Sequence, residues 1–325
     1  MTLIVEQAHA GVQLQDGGRH AVAHLGMTTG GAADLTMARI CNSLAGNNPD
    51  RLLPLLEIPL GGLVLRASRP VVVAFCGIGF KPAVNGLPVE AWRSLYLNSG
   101  DVFSSGYSRR AARAYLAVQG GFIANEQLGS CSTVRREGVG GFDGKAAVLA
   151  PALPLAHQPS EQYQQVSLPY AEQPGLPAVL TLDLVVGAQW RLLHEAATVR
   201  GQDLAADIKN RLFRVSTQSD RMGIRLSAEP LVCVRTAMYS EGLCSGAVQL
   251  PPDGRPIIMH VDHQTIGGYP KLGTITPAAV DLLAQALPGQ WVQLSLTNAA
   301  AALQQERIRQ QSIQQTLNGI WRQWQ

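Results

Sequence analysis

The stretch Pro70–Phe80, PVVVAFCGIGF, is the longest apolar run in this chain of 325 residues. A helix that crosses a membrane needs about 20 apolar residues, whereas a buried strand needs only about 4 to 8. The run has the length of a strand, and Pro and Gly punctuate it as they commonly punctuate strands. It therefore predicts a β fold, and it argues against a transmembrane helix at the most apolar point of the sequence.

Short β segments lie on both sides of this run and are separated by Gly, Pro or Asn. In the first half of the chain they read TLIVEQA, LVLRA, SLYLNSGDVF and AYLAVQGG. In the second half they read AVLTLDLVV, LFRVSTQ, LVCVRTAM, GAVQLPP, PIIMHV and WVQLSL. The pattern predicts a mainly β protein with a few helices.

Three segments predict those helices. Asp34–Leu44 begins with a residue that can cap a helix and ends at the stop signal AGNNP. Residues 276–287, TPAAVDLLAQAL, predict the one short helix that breaks the second β region. Asn298–Gln325 has apolar residues at helical spacing and predicts an amphipathic helix. Its apolar face either packs against the protein's own barrel or forms an interface with a partner.

The composition limits the class of protein. Hydrophobic residues make up 46% and charged residues 15%, which excludes a disordered chain. A net charge of +3 disfavours binding to nucleic acid or to an anionic membrane. The start MTLIVEQAHAG lacks a basic region, so we expect no secretory signal. Five cysteines without a C-x-x-C pair favour a reduced, cytoplasmic setting.

The length predicts about two domains. His157–Leu176 is rich in Gln and Pro and poor in large aliphatic residues, so it is the best linker candidate. We therefore predict two domains, which comprise residues 1–160 and residues 161–325. Gln15–Arg19, QDGGR, and Ser219–Arg225, SDRMGIR, both place an aspartate beside glycine and arginine at a strand end. This repetition indicates a duplicated domain.

Three loop regions carry more polar residues than packing requires. The first consists of the two turns QDGGR and GGAAD, and the second consists of LGSCST and Arg135. The third is DHQTIGGYP. Gly-rich turns let backbone N–H groups face a carboxylate or carbonyl, and arginine adds a fixed fork of donors. The alternative is that these aspartates only shape the loops by bonding to backbone N–H groups.

Other site types find little support. His20 and His24 have the spacing of a helical metal pair, but they lie between glycines in a loop-and-strand context, so we expect no metal. Neither a phosphate-binding P-loop nor a dinucleotide-binding glycine pattern occurs between a strand and a helix. We therefore expect that this chain does not hold ATP by those devices.

The matching blocks QDGGR, GGAADL, CNSLAGN, LLEIPLGG, YLAVQGG, LGSCST, SDRMGIRL, GAVQLPPDGRP and DHQTIGGYP resemble the allophanate hydrolase subunit 2 family. The resemblance runs from about Gln13 to Ala300. It implies a tandem pair of cyclophilin-like β-barrels. Members of the family include the C subunit of 5-oxoprolinase, proteins that antagonise a kinase inhibitor, and part of the carboxyltransferase domain of urea carboxylase.

For a stand-alone chain, the resemblance implies the C subunit of an ATP-dependent 5-oxoprolinase, which opens 5-oxo-L-proline to L-glutamate. The implied partners are a homologous smaller protein, of the allophanate hydrolase subunit 1 or 5-oxoprolinase B-subunit type, and a third protein of the 5-oxoprolinase A-subunit type. ATP would bind outside this chain or at a subunit interface, and no biotin would be attached here. A biotin-dependent carboxyltransferase component and a non-catalytic regulator that binds a kinase-inhibitor-like partner are the alternatives.

Opening a lactam requires an electrophilic carbonyl and stabilisation of the oxygen as it becomes negative. We expect catalytic roles, in proton transfer or contact with the substrate amine, for Asp16, Asp220 and Asp262. The expected substrate-binding residues are Arg19, Asp34, Ser130, Ser132, Thr133, Arg135, Arg221, Gln249, Gln264, Thr265 and Tyr269. Two positions depart from the family pattern, since His20 follows QDGGR where a small residue is expected and His263 lies inside the last block.

Overall fold

The computed structural model describes residues 2–145, 152–156, 163–231 and 238–325. These residues form twenty strands and five α-helices, so the predicted mainly β fold is confirmed. They divide into two compact units. Unit 1 comprises Met1–His20, Gly30–Leu176 and Ser312–Gln325, and unit 2 comprises Ala21–Thr29 and Pro177–Gln311. Each unit therefore contains residues from separate parts of the chain, unlike the continuous domains predicted at 1–160 and 161–325.

Unit 1 contains two antiparallel sheets. Its strands are β1 (Thr2–Gln7), β2 (Gln13–Gln15), β3 (Leu55–Pro59), β4 (Val64–Ala67), β5 (Val71–Gly77), β6 (Ala83–Val84), β7 (Leu87–Pro88), β8 (Arg93–Leu97), β9 (Val102–Ser104), β10 (Arg113–Val118) and β11 (Ala152–Pro154). One sheet has the order β11-β1-β4-β9-β6-β7, and the other has the order β2-β3-β10-β5-β8. Unit 1 also holds α1 (Leu35–Leu44) and the last part of α5 (Ala299–Trp324).

The five-stranded sheet is the middle layer of unit 1. In β5, Val71, Val73 and Phe75 belong to the core shared with the six-stranded sheet. Their neighbours Ala74 and Cys76 point to the opposite side, into a second core with α1 and the end of α5. Because both faces of β5 are covered, every residue of the strand is buried. This explains the long apolar run in which the strand lies.

Both helices that cover this sheet agree with their predictions. Asp34 caps α1, since its side chain accepts a hydrogen bond from the Met37 N–H. In α5 the buried residues Ile313, Leu317 and Ile320 join the core of unit 1. The end of the helix therefore packs against the protein itself, which was the first of the two predicted alternatives.

Unit 2 contains a closed barrel of seven strands and a separate two-stranded sheet. Its strands are β12 (Val179–Val186), β13 (Leu212–Val215), β14 (Gly223–Ser227), β15 (Glu241–Gly242), β16 (Ala247–Gln249), β17 (Ile257–Met259), β18 (Ile266–Gly267), β19 (Lys271–Ile275) and β20 (Trp291–Thr297). The barrel order is β12-β19-β16-β17-β14-β13-β20, and β15 pairs with β18. Along β13 buried and exposed side chains alternate, as expected where one face lines a barrel core.

Unit 2 has more helices than the sequence predicted. The predicted helix is α4 (Pro277–Ala284), but α2 (Trp190–Thr198) and α3 (Leu204–Asn210) also lie between β12 and β13. Both are short, with nine and seven residues, and each buries only two side chains. A local signal for α3 does exist in Asp203, whose side chain accepts from two N–H groups of the first turn.

The predicted linker is not a free linker. Residues 157–162 lie outside the described residues, but the following segment packs against β8. Val166 and Leu168 are buried in the core of unit 1, and the Val166 N–H donates to the Ser94 hydroxyl. Unit 1 therefore continues to Leu176. Most of the predicted strand LVCVRTAM, residues 231–238, also lies outside the described residues.

Within the described ranges, no helix combines the length and the apolar character that crossing a membrane would require.

Candidate functional site

The first polar cluster lies in unit 1 and is organised by the carboxylate of Asp16. Its Oδ1 accepts hydrogen bonds from the Gly18 N–H and the Ser130 hydroxyl, at 2.8 and 2.6 Å. The Ser132 hydroxyl also donates to Oδ1, and the Cys131 N–H donates to Oδ2 at 2.6 Å. Asp16 is only 8% exposed. Its carboxylate therefore joins the QDGGR turn to the LGSCST loop.

Arg19 joins the same two segments through its guanidinium. The side chain is fully buried, and Nε donates to the Gln127 carbonyl at 3.1 Å. Nη2 donates to the carbonyls of Ser130 and Ser132, at 3.3 and 2.6 Å. A buried cation needs such acceptors, because desolvation without them would be very costly. Arg19 thus donates to carbonyl groups of its own chain, and its predicted contact with a substrate stays a prediction.

A glycine allows this close packing. Gly140 has a φ of +71°, and a Cβ there would overlap the carbonyl oxygen of Ser132. The Thr133 N–H donates to the Leu14 carbonyl at 2.9 Å, which fixes the end of the loop against β2. The structure therefore brings Asp16, Arg19, Ser130, Ser132 and Thr133 together, a contact between the first and second loop regions that the sequence did not display.

A second buried network follows directly along the chain and was missed as a functional feature. The Ala33 N–H donates to Glu57 Oε2 at 2.8 Å, and the Tyr115 hydroxyl donates to the same oxygen at 2.9 Å. The Asp34 N–H donates to the Tyr115 oxygen at 2.8 Å. Glu57 also forms an ion pair with Arg113, at 3.3 Å. Glu57 is 1% exposed, and its position inside the apolar strand β3 was the available sequence signal.

The environment of Tyr115 keeps its hydroxyl protonated. Burial raises the pKa of Tyr115 well above 10.0, and the nearby charges of Glu57 and Asp34 raise this pKa further. The hydroxyl can therefore donate to Glu57 and accept from the Asp34 N–H across the neutral pH range. This network holds the Gly-Gly-Ala-Ala-Asp turn at a fixed distance from β3 and β10.

Unit 2 has a different polar cluster, centred on Arg221 and Asp262. The guanidinium donates from Nε to Asp262 Oδ2 at 2.8 Å and from Nη2 to Asp262 Oδ1 at 2.9 Å. The two side chains are 14% and 12% exposed. The Asp262 N–H also donates to the Arg221 carbonyl at 2.8 Å. Such a bidentate pair is stronger than a single hydrogen bond and fixes the orientation of the guanidinium.

The neighbouring Asp220 has a local role in the turn. Its Oδ1 accepts from the N–H groups of Met222 and Gly223, at 2.8 and 3.1 Å. This contact is the turn-forming alternative that the sequence left open. The exposed Asp220 carboxylate does not take part in the bidentate pair beside it.

The remaining predicted residues of unit 2 lie around the loop that follows β17. The Thr28 hydroxyl, from the segment Ala21–Thr29, donates to the His263 carbonyl at 3.3 Å. Gln249 is buried on β16, and Gln264 and Thr265 are half-buried. Tyr269 is 45% exposed and lines a groove on the barrel.

Arg135 belongs to neither cluster. It is exposed in unit 1 and donates to the Ala10 carbonyl at 3.3 Å. The catalytic and substrate-binding roles assigned to these residues stay predictions. In the unit 1 cluster the Asp16 carboxylate and the Nε and Nη2 atoms of Arg19 bond within the chain. The Arg221–Asp262 pair of unit 2 holds its guanidinium in one orientation with 14% of the Arg221 side chain exposed.

The chain matches the model of a known protein family over most of its length. The family described as carboxyltransferase domain, subdomain A and B, matches residues 25–296. The chain therefore belongs to this family, and the resemblance inferred from the sequence blocks is confirmed.

Among individual proteins, the C subunit of 5-oxoprolinase from Escherichia coli is 33% identical over 301 residues, which is 90% of this chain and 92% of that protein. The solved protein TTHA0988 is 32% identical with a TM-score of 0.76, covering 90% of this chain, and this chain spans 55% of it. The urea amidolyase of K. lactis covers 97% of this chain with a TM-score of 0.84 and 22% identity. This chain spans only 20% of that enzyme, and the likeness shows the fold alone.

Proposed function

We propose that this chain is the C subunit of a multi-subunit, ATP-dependent 5-oxoprolinase that opens 5-oxo-L-proline to L-glutamate. The observation that carries the proposal is the likeness to a protein named as the C subunit of 5-oxoprolinase, which extends over 92% of that protein. A likeness over nearly the whole length of a relative supports a shared role better than a match to one part of a larger enzyme.

The Arg221–Asp262 pair supports a role in binding the lactam. Hydrolysis adds water across the amide bond, so the carbonyl carbon gains OH, the C–N bond breaks and the nitrogen gains a proton. Negative charge grows on the carbonyl oxygen as this happens, and an oriented guanidinium stabilises it. Asp262 holds Arg221 in one orientation through two hydrogen bonds, so little rotamer freedom is lost when the substrate binds.

The residues of unit 1 do not favour an ATP site in that unit. The N-terminus of α1 would be the natural place for a phosphate, but the Asp34 carboxylate already accepts from the Met37 N–H there. Arg19 donates to carbonyls of its own chain. We therefore place ATP on a partner protein or at an interface with it. The partners proposed are a smaller homologous subunit of the B type and a third protein of the A type, in the cytoplasm.

Reconstitution tests this function. The chain is purified with its partner subunits, and glutamate formation from 5-oxo-L-proline is measured with and without ATP. We expect turnover only with ATP and all subunits. Asp262→Asn removes the anchor of Arg221 and should lower kcat/KM at least tenfold. Asp50→Asn is the matched control, because Asp50 is an exposed aspartate that lies outside both polar clusters.

The absence of turnover with every subunit present would overturn the proposal. If the chain instead binds a kinase-inhibitor-like partner tightly without turnover, it is a regulator rather than a component of an enzyme.

A second candidate function is biotin-dependent carboxyl transfer. The family description names a carboxyltransferase domain, and this observation favours it. The test adds a partner that bears carboxybiotin and measures carboxylation of urea. Transfer that depends on this chain would favour the second function, whereas glutamate formation without any such transfer would leave the first.

A further inference from the structure

A groove of 1180 Å³ runs over the outer surface of the barrel in unit 2. Its floor is formed by side chains of β13, β14, β17 and β20, which are neighbours in the barrel. The side chains that matter most for recognition are Leu212, Arg214, Arg225, Ile257, Tyr269 and Trp291. None of the roles assigned above uses this groove, apart from the predicted contact of Tyr269.

The groove carries more positive than negative charge. Four arginines and three acidic residues line it. Two of the arginines have acidic neighbours, since Arg211 lies 3.7 Å from Asp207 and Arg255 lies 3.9 Å from Asp253. Within the described parts of the chain, neither Arg214 nor Arg225 forms an ion pair with an acidic side chain. These two exposed guanidinium groups can therefore bind an external anion.

The two arginines have a fixed spacing. Arg214 pairs with Ser227 on the adjacent antiparallel strand, and Arg225 lies two residues before Ser227 on the same face. Such diagonal neighbours have Cα atoms about 7–8 Å apart. In an extended peptide, residues i and i+2 are about 6.6–6.8 Å apart and point to the same side. Two carboxylates at alternate positions of an extended segment therefore match the two guanidinium groups.

Apolar and aromatic groups lie beside the charges. Trp291 pairs with Arg214 in the register of β13 and β20, and the Arg214 guanidinium carbon lies 4.2 Å from the centre of the indole ring. Stacking occupies the flat face of the guanidinium and leaves the N–H groups at its edge free to donate. Trp291 is 37% exposed and Leu212 is 44% exposed, so apolar surface remains for a ligand.

The shape of the groove favours a polypeptide over a small molecule. Its volume exceeds the range of about 300–1,000 Å³ for small-molecule pockets, and its aromatic walls stay partly exposed. The barrel strands of the groove are hydrogen-bonded to neighbours on both sides. A peptide therefore cannot add as a further strand here and has to be recognised through its side chains.

We propose that this groove binds an extended, acidic segment of a partner polypeptide, with carboxylates at positions i and i+2 on Arg214 and Arg225. An apolar side chain of the same segment packs on Trp291 or Leu212. The inference does not depend on the proposed enzymatic activity, because it rests only on the charge and register of the barrel surface.

The test uses the full chain and two synthetic peptides of nine residues. One peptide carries Glu at positions 3 and 5 and Leu at positions 1 and 7, all on the same side of the extended chain, with Ser at the other positions, and the second peptide has Gln in place of each Glu. Binding is measured by isothermal titration calorimetry for the wild type, for Arg225→Gln and for Arg214→Gln/Arg225→Gln. The matched control is Arg200→Gln, an exposed arginine of unit 2 that does not line the groove.

We expect the Glu peptide to bind at least tenfold more tightly than the Gln peptide, with an affinity that falls as salt is added. The double variant should lose at least tenfold in affinity, the single variant should lose less, and Arg200→Gln should stay within twofold of the wild type. The Arg225 side chain forms no hydrogen bond or ion pair within the described chain, so the single variant keeps the test valid if the double variant folds poorly.

Three results would overturn the proposal. The first is a failure of the Glu peptide to bind, or equal binding of both peptides. The second is binding of ATP that is lost in the double variant, which would make the groove a nucleotide site. The third is a wild-type dimer that dissociates in the double variant, which would make a second copy of this chain the occupant.

Discussion

The same local motif has different contacts in the two units. In unit 1, Asp16 accepts four hydrogen bonds and Arg19 donates to three carbonyls, so the two side chains are engaged by the same neighbouring loop. In unit 2, Asp220 bonds only to its own turn, and Arg221 forms a bidentate pair with Asp262. A duplicated sequence pattern therefore supports a buried scaffold in one unit and an oriented ion pair near the surface in the other.

The two arginines differ in burial, whereas Asp16 and Asp262 are buried to a similar extent, at 8% and 9% exposure. Arg19 is fully buried and stabilises the loops around it, whereas the Arg221 side chain keeps 14% of its surface exposed. We infer that the unit 1 copy matters mainly for stability and that the unit 2 copy keeps capacity for a ligand. Four sets of substitutions test this difference between the two units.

Arg19→Met should have the largest effect. The carbonyls of Gln127 and Ser130 keep hydrogen bonds from each other's N–H groups, but the buried Ser132 carbonyl loses its 2.6 Å bond to the guanidinium. We therefore expect a loss of about 3 kcal/mol in the free energy of unfolding. The measurement is urea unfolding followed by circular dichroism. Arg225→Met, at an exposed position, is the control and should change stability by less than about 0.5 kcal/mol.

Asp16→Asn should have the next largest effect, a loss of about 2 kcal/mol in the free energy of unfolding. The amide group keeps one acceptor oxygen, but its NH₂ then faces a donor, either the Cys131 N–H or the three donors on the other oxygen. Urea unfolding followed by circular dichroism measures this loss. A variant as stable as the wild type would show that the carboxylate does not hold the loop.

The Arg221–Asp262 pair should show a smaller but coupled effect. Arg221→Met and Asp262→Leu each leave one charge without its partner, whereas the double variant removes both charges. A double-mutant cycle should give a coupling energy of about 2 kcal/mol between these largely buried side chains. Additive single effects would show that the pair contributes no interaction energy.

Asp220→Asn should have the smallest effect and should change the free energy of unfolding by less than about 0.5 kcal/mol. The amide oxygen still accepts from the Met222 and Gly223 N–H groups, so the turn keeps its contacts. The same urea measurement applies, and the direct comparison is with Asp16→Asn. Equal losses for the two variants would contradict the distinction between the two units.

Much of the fold follows from local sequence signals. The helix after Asp34 and the helix after Thr276 have capping side chains that the sequence displays. The short helices α2 and α3 were missed because their buried residues are few, and the β context of their neighbours outweighed them. Val166 and Leu168 lie in a Gln- and Pro-rich segment, and only the tertiary structure shows that they are core residues.

The site was only partly predictable. QDGGR and LGSCST were each identified as candidate loops, because polar residues in Gly-rich loops are visible in the sequence. Their partners across the chain are not visible, since Arg19 and Ser132 are 113 positions apart. Glu57 and Tyr115 were missed as a network for the same reason, although a carboxylate in an apolar strand is itself a signal.

The last turns of α5 affect the order in which this protein can fold as it is synthesised. Ile313, Leu317 and Ile320 complete the apolar core over α1 and the five-stranded sheet, yet they follow all of unit 2 along the chain. Most of unit 1 precedes unit 2, so the apolar face of its sheet stays partly uncovered until unit 2 has been made. A translation pause within unit 2 would therefore prolong the exposure of an aggregation-prone surface.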